Sequence, residues 1–260
     1  MTVVGGEPQA NLRRSLEWIA RAAADGARIA VLPEAMTLGW THSSARALAE
    51  EIPDGESCAA LRRAARQHNI FICSGLIEKS GRRIFNSAVL IAPDGGVILH
   101  HRKIHELDLA RGLYSPGDRL AVAETELGRI GLMICADGFA PGQVLGRSLG
   151  NMGARLILSP CAWAVPAEHD NAHEPYGKLW MDNYSPVARE FGLWIVGVSN
   201  VGWINDGPWQ GRKCIGCSLV VGPSGEKVLQ GPYGVEAEAL LRVDLDLRPR
   251  GEWDHAGPAE

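Results

Sequence analysis

A chain of 260 residues, 46% hydrophobic and 22% charged, is long enough to bury a sizeable core, and no Ser/Pro-rich linker or charge block divides it, so one domain spanning 1–260 is expected. A net charge of −4, with Lys and Arg scattered among acids, leaves no basic footprint for nucleic acid and favours a small neutral or polar substrate. No apolar run approaches the roughly 18 residues of a membrane span, and TVVGGEPQ lacks the pattern of a secretory leader, so the cytoplasm is the expected location.

Taken in order, residues 9–25 read as an amphipathic helix, with Leu12, Leu16, Ile19 and Ala23 at helical spacing. Residues 29–32 form a short buried strand that delivers Glu34 at its C-terminal end. A carboxylate there either caps a helix, pairs with a surface Arg, or, in a cleft beside a thiol, acts as a general base. A helix from Glu56 leads to a buried strand at 70–73. Residues 83–92 and 97–102 flank the turn Pro93-Asp94-Gly95-Gly96 and read as a hairpin. That hairpin runs into HHRKIHELD, where Lys103 is either part of an exposed basic edge with Arg102 or a fixed point charge for an oxyanion.

The run RIGLMICADGFA follows. Ile130 to Ile134 read as a buried strand and Ala136-Asp137-Gly138 as the turn leaving it, so Cys135 stands at a strand end facing a cleft. It is either inert packing or a nucleophile whose oxyanion the backbone N–H groups of the turn could stabilise. Residues 141–153 then read as a helix with Val144, Leu145, Leu149 and Met152 on its apolar face, and 155–158 as a strand ending at SPCAW. Residues 164–178 are loop-like, 179–190 helical, 193–198 a strand, 215–221 and 226–230 a hairpin around GPSG, and 239–243 a last strand. Alternating strands and helices followed by hairpins indicate a mixed sheet with helices outside. The tail from Arg248 is a candidate for docking onto a partner subunit, or has no role.

The six cysteines are too few and too irregularly spaced for a disulfide framework. Cys214 and Cys217 form a CxxC, but no second CxxC or paired His stands nearby to complete a zinc set, so both are expected to pack in the core. No GxGxxG follows the first strand, and no cofactor or metal is expected.

Three apolar strands that end in Glu34, Lys103 and Cys135, in that order, resemble the nitrilase superfamily of carbon–nitrogen hydrolases. The matching motifs are VLPE, HRKIH and GLMICAD, supported by SPG, MGARLILSP, ARE, VGVSNVG and GCSLVVGPSGEKV across nearly the whole chain. The resemblance implies an α/β fold, a four-layer α-β-β-α sandwich in which the three residues meet at one end of the sheets, and a homodimer or higher homo-oligomer that packs helices together. It also implies a second glutamate between lysine and cysteine that assists lysine and substrate; Glu106 is assigned that role, although it lies closer to Lys103 than the usual position. Family members carry a strand before the first helix, whereas only Met1 to Glu7 stand there in this chain, so that strand is expected to be short or missing.

The chemistry so implied is thiol-dependent hydrolysis of a small amide or carbamoyl compound through a Cys135 thioester. Glu34 acts as general base, and Lys103 with the Ala136 N–H holds the oxyanion. Trp163 is expected to border the pocket or simply to pack. Two other readings stand beside this one: a nitrilase forming a thioimidate with the same thiol, and an inactive binding or regulatory protein of the same fold.

Overall fold

The computed structural model describes residues 1–247, so the tail from Arg248 lies outside the described residues. The first half runs α1 (Pro8–Ala24), β1 (Ile29–Val31), α2 (Ala45–Leu48), α3 (Glu56–His68), β2 (Phe71–Ser80), β3 (Arg83–Ile91), β4 (Val97–Arg102) and β5 (Val122–Thr125). The second half runs β6 (Gly128–Leu132), a 3-10 turn at Cys135–Phe139, α4 (Val144–Asn151), β7 (Leu156–Cys161), β8 (Ala164–Val165), α5 (Lys178–Phe191) and β9 (Trp194–Ser199). It closes with β10 (Val201–Trp203), β11 (Lys213–Ile215), β12 (Leu219–Val221) and β13 (Lys227–Gln230).

Two larger sheets result, in the orders β1-β2-β3-β4 and β13-β12-β9-β7-β6-β5, with a small third sheet β10-β11-β8. Side-chain alternation along the strands decides what faces what. On β2 and β3, Ile72, Leu76, Val89 and Ile91 face α1 and α3, which contribute Ile19, Cys58 and Leu61 to the same core. The intervening Phe71, Cys73, Ala88 and Leu90 point the other way and meet Ile130, Leu132, Leu156 and Leu158 of the second sheet. On that sheet's far face, Ile157 and Ile195 pack with Leu149 of α4 and with Trp180, Tyr184 and Val187 of α5. The layers are therefore helix, sheet, sheet, helix: the α-β-β-α sandwich.

The strand ends of the first sheet that carry Glu34 and Lys103 follow from this frame. β1 is parallel to β2, and β4 closes the antiparallel run, so the C-terminal ends of β1 and β4 come out on one side of the sheet. β6 and β7 run parallel in the second sheet, with Leu132 beside Leu158, and deliver Cys135 and Cys161 together.

Several predicted details differ. The helix at 141–153 is a 3-10 turn at Pro141–Gln143 followed by α4, rotated so that Leu145, Gly146 and Leu149 are buried while Val144 and Met152 are exposed. In this orientation Gly146 faces Val187 of α5. On α1 the buried face includes Asn11 and Ser15; Asn11 is satisfied by Val4 N–H and by the carbonyls of Val4 and Thr37. The single strand read at 215–221 is two strands in different sheets, because Gly216 (φ 68) and Cys217 (φ 57) turn the chain between β11 and β12. Cys214 and Cys217 are buried free thiols.

The expected strand at 239–243 is not formed. The segment keeps an apolar side, with Leu240, Val243, Leu245 and Leu247 against the core, yet it joins no sheet. It flanks a cleft of about 890 Å³ lined by α1, by β1, which pairs with β2 alone, and by β7, β9 and β12 of the second sheet. Residues before α1 pair elsewhere: Thr2 bridges Val201 in parallel, at β10. No helix among the described residues is long and apolar enough to cross a membrane.

Candidate active site

Glu34 follows β1 and is held from both sides. Its Oε1 accepts from Lys103 Nζ at 2.7 Å and from Asn86 Nδ2 at 2.6 Å, and its backbone N–H donates to Cys161 O at 3.2 Å. Gly75 makes the approach possible, since a Cβ at that position would sit 2.5 Å from the Glu34 Cα. Lys103 leaves β4 with its N–H bonded to Asn86 O at 2.8 Å, so one residue of β3 fixes both charged partners.

Lys103 and Glu34 are each 1% exposed. Burial alone presses the Lys103 pKa down, but Glu34, Glu106 and Cys135 outweigh it and hold the ammonium above the ordinary lysine value. The basic edge expected as the alternative does not exist: Arg102 instead pairs with buried Glu78 and lies over the Phe85 ring, 4.0 Å from its centroid.

Glu106 is buried 3.8 Å from Lys103 Nζ, and neither of its carboxyl oxygens has a hydrogen-bond partner. Burial raises its pKa to about 8, with Glu34 and Asp137 adding to the rise and Lys103 opposing it. At neutral pH Glu106 is therefore mostly protonated, with a donor and an acceptor to offer.

Cys135 begins the 3-10 turn with φ 43, in the left-handed region that a non-glycine residue occupies at a cost. From this turn the thiol packs against both the inter-sheet core and the core under α4 and α5. Burial raises the Cys135 pKa, assisted by a hydrogen bond with Cys161 and by the charge of Glu34, while Lys103 pulls it down. The thiol thus lies within the electrostatic reach of both partners in the buried ion pair. Burial thus favours the neutral thiol over the thiolate.

Sequence reasoning passed over the residue that joins these parts. Asp137, read only as turn, is buried, and its Oδ1 accepts from the N–H groups of Ile104 (3.1 Å) and His105 (2.8 Å). Its Oδ2 accepts from Ile134 N–H (2.9 Å) and His101 Nε2 (2.8 Å). A carboxylate only accepts, so His101 is the donor. Burial works against the charge, but His101 and the backbone N–H groups hold the Asp137 pKa below the usual carboxylate range. One side chain thus clamps the exit of β4, which carries Lys103, to the turn that carries Cys135. The signal was present as an Asp two residues after the cysteine and a His two residues before the lysine.

Ala136 is buried directly after Cys135 in the same 3-10 turn. Trp163 is 1% exposed, with its ring stacked on Trp180 at 4.6 Å between centroids. Phe139 lies 5.5 Å from Trp180, and Cys135 packs against this aromatic cluster, so Trp163 supports the wall of the site from behind. Among the described residues no group of three or more His, Cys, Asp or Glu is placed to hold a metal ion.

The carbon–nitrogen hydrolase family model matches residues 2–254. A nitrilase of Pyrococcus abyssi is 30% identical over 93% of this chain and 86% of its own length. An (R)-stereoselective amidase of Pseudomonas sp. is also 30% identical, over 93% of this chain and 81% of its own. A mutant of an amidase from Nesterenkonia sp. AN1 has the same fold at a TM-score of 0.74 and 22% identity, covering 90% of this chain and 84% of its own; that mutant carries the acetamide moiety of fluoroacetamide covalently on its active-site cysteine.

Proposed function

Since the chain belongs to the carbon–nitrogen hydrolase family, we propose that it hydrolyses a small amide or carbamoyl compound with Cys135 as nucleophile, Glu34 as general base and acid, and Lys103 as oxyanion partner. The observation that carries this reading is the buried ion pair of Glu34 and Lys103 at 2.7 Å beside the strained thiol. Such an arrangement costs desolvation energy, and it serves no packing purpose that a pair of apolar side chains would not serve better.

Both donors to Glu34 use Oε1, which holds the carboxylate while Oε2 takes the thiol proton. As the proton leaves, the sulfur bonds to the amide carbon, and the electron pair of the C=O bond moves onto oxygen. Lys103 Nζ and the N–H of Ala136 stabilise that oxyanion in a site shielded from water. The oxyanion collapses, the C–N bond breaks, and Glu34 returns the proton to the departing nitrogen, releasing ammonia or an amine. Water, losing a proton to Glu34, then attacks the thioester; the acid leaves and the thiol is restored. Protonated Glu106 supplies a hydrogen bond to the substrate amide and leaves Lys103 with one full negative neighbour instead of two. Trp163 and the rings in front of it form the apolar wall that admits a small acyl group.

The similarity to a nitrilase favours one second reading, in which the same thiol adds to a nitrile and passes through a thioimidate. Ammonia release over a panel of small amides, carbamoyl compounds and nitriles separates the two. Amides turned over faster than nitriles, with no turnover by Cys135→Ala, is the expected result. Turnover of nitriles alone would give the nitrilase reading, and silence toward every compound would give the inactive binding protein. Association into a dimer or higher oligomer belongs to the same proposal, with sedimentation as its test.

A further inference from the structure

The reaction above uses one thiol, yet the site holds two. Cys161, the last residue of β7, is fully buried, and its Sγ lies 3.1 Å from Ser159 O and 3.9 Å from Tyr184 Oη. Cys135 packs against the same buried cluster to which Cys161 belongs. The backbone explains the pairing. β6 and β7 run parallel with Ile130 beside Leu156, Gly131 beside Ile157 and Leu132 beside Leu158, and Met133 N–H continues the ladder to Leu158 O at 3.1 Å. The turn that carries Cys135 starts three residues beyond the end of β6, next to the end of β7 where Cys161 stands. Adjacent strands lie about 4.8 Å apart, inside the roughly 4.4–6.8 Å Cα separation that a disulfide spans.

We infer that Cys135 and Cys161 form a reversible disulfide when a hydroperoxide enters the site, with Cys135 as the oxidised thiol and Cys161 as the resolving thiol. The inference rests on the proposed role of Glu34 only for the supply of thiolate. In the first step the Cys135 thiolate attacks the hydroperoxide: the O–O bond breaks, an S–O bond forms, and water or an alcohol leaves. Sulfur loses two electrons and becomes a sulfenic acid. In the second step Cys161 sulfur bonds to Cys135 sulfur as its proton passes to the departing hydroxide, which leaves as water. Two electrons from a dithiol reverse the change. Cys135 is partly exposed and receives the oxidant, whereas Cys161, sealed behind it, resolves the sulfenic acid before a second oxidant molecule arrives. The bridge removes the nucleophile and protects it from sulfinic acid formation.

The test is peptide mapping of the wild-type protein after hydrogen peroxide treatment without reductant. Trypsin places Cys135 in residues 130–147 and Cys161 in residues 156–178. The expected product is those two peptides linked, with a linked fraction that tracks loss of amidase activity and with both reversed by dithiothreitol. In Cys161→Ser and Cys161→Ala the linkage is absent, Cys135 accumulates as sulfinic acid, and dithiothreitol restores about tenfold less of each variant's own starting activity. A link from Cys135 to Cys73, or sulfinic acid on Cys135 of the wild type with no link, would overturn the proposal. The linked peptide reads the bridge whether or not Cys135 is the nucleophile, so the map does not depend on the amidase reading. Should the variants fail to fold, the wild-type map alone decides.

Discussion

At the scale of single residues the site is governed by which buried carboxyl group keeps its proton. Glu106, held up to about 8, stays neutral below that pH and ionises above it. Ionisation places a second negative charge on Lys103 and draws the ammonium away from the oxyanion, so kcat/KM is expected to fall as pH rises through about 8. Glu106→Gln, which cannot ionise, loses that alkaline limb; a pH–rate profile checks it. The sign for stability agrees. A carboxyl whose folded pKa lies above its unfolded value stabilises the fold fully below the unfolded pKa and loses that contribution as pH rises toward about 8. With Lys103 as the proposed oxyanion partner, its replacement by Met is expected to lower kcat by about 10²–10³. Glu78 behaves oppositely. Burial opposes its charge, but bonds from His100, Arg102 and Ser87 lower its pKa to about 2. Its contribution, about 3 kcal/mol at neutral pH, is present above the ordinary carboxylate pKa and is lost as pH falls through about 2. Urea unfolding of Glu78→Gln against wild type should show a large difference at pH 7 that shrinks toward pH 2.

At the scale of elements, function depends on how β1, β4 and β6 are clamped at their ends. A methyl group at Gly75 would meet Pro33 O at 2.7 Å and Glu34 Cα at 2.5 Å, and neither is a flexible side-chain tip. Gly75→Ala is therefore expected to cost about 1–3 kcal/mol and, by shifting Glu34, to lower kcat by up to about 10². In Asp137→Asn one oxygen becomes a donor, so the bond from Ile134 N–H to Oδ2 is lost, or both bonds from Ile104 and His105 to Oδ1. That change should cost about 3 kcal/mol and separate the Lys103 loop from the Cys135 turn, seen as reduced kcat and faster amide exchange at Ile104 and His105. The strand ends that carry Glu34, Lys103 and Cys135 were legible because each follows an apolar run. Asp137 and Asn86 were not, because their meaning lies in partners dozens of residues away that no local pattern reveals.

At the scale of the molecule, the two sheets meet through Leu90, Leu132, Leu156 and Leu158, and this contact holds Glu34 and Lys103 of one sheet against Cys135 of the other. Leu158→Ala is expected to cost about 2–5 kcal/mol, whereas Val144→Ala, on the exposed side of α4, should change stability by less than about 0.5 kcal/mol. Denaturant unfolding compares them. The layered fold was legible from alternating strands and helices and from the order of the motifs. Less legible was anything set by rotation or pairing: Val144 and Met152 satisfy helical spacing yet face out, and the apolar alternation from Leu240 to Leu247 meets no partner strand. The central claim, that Cys135 in this frame forms the bond to substrate, is tested most directly by quenching the protein in acid during turnover of a small amide and mapping its tryptic peptides. An acyl mass is expected on residues 130–147, appearing with ammonia release and absent from Cys135→Ala. Ammonia released at an undiminished rate by Cys135→Ala, or an acyl group carried on another peptide, would contradict it.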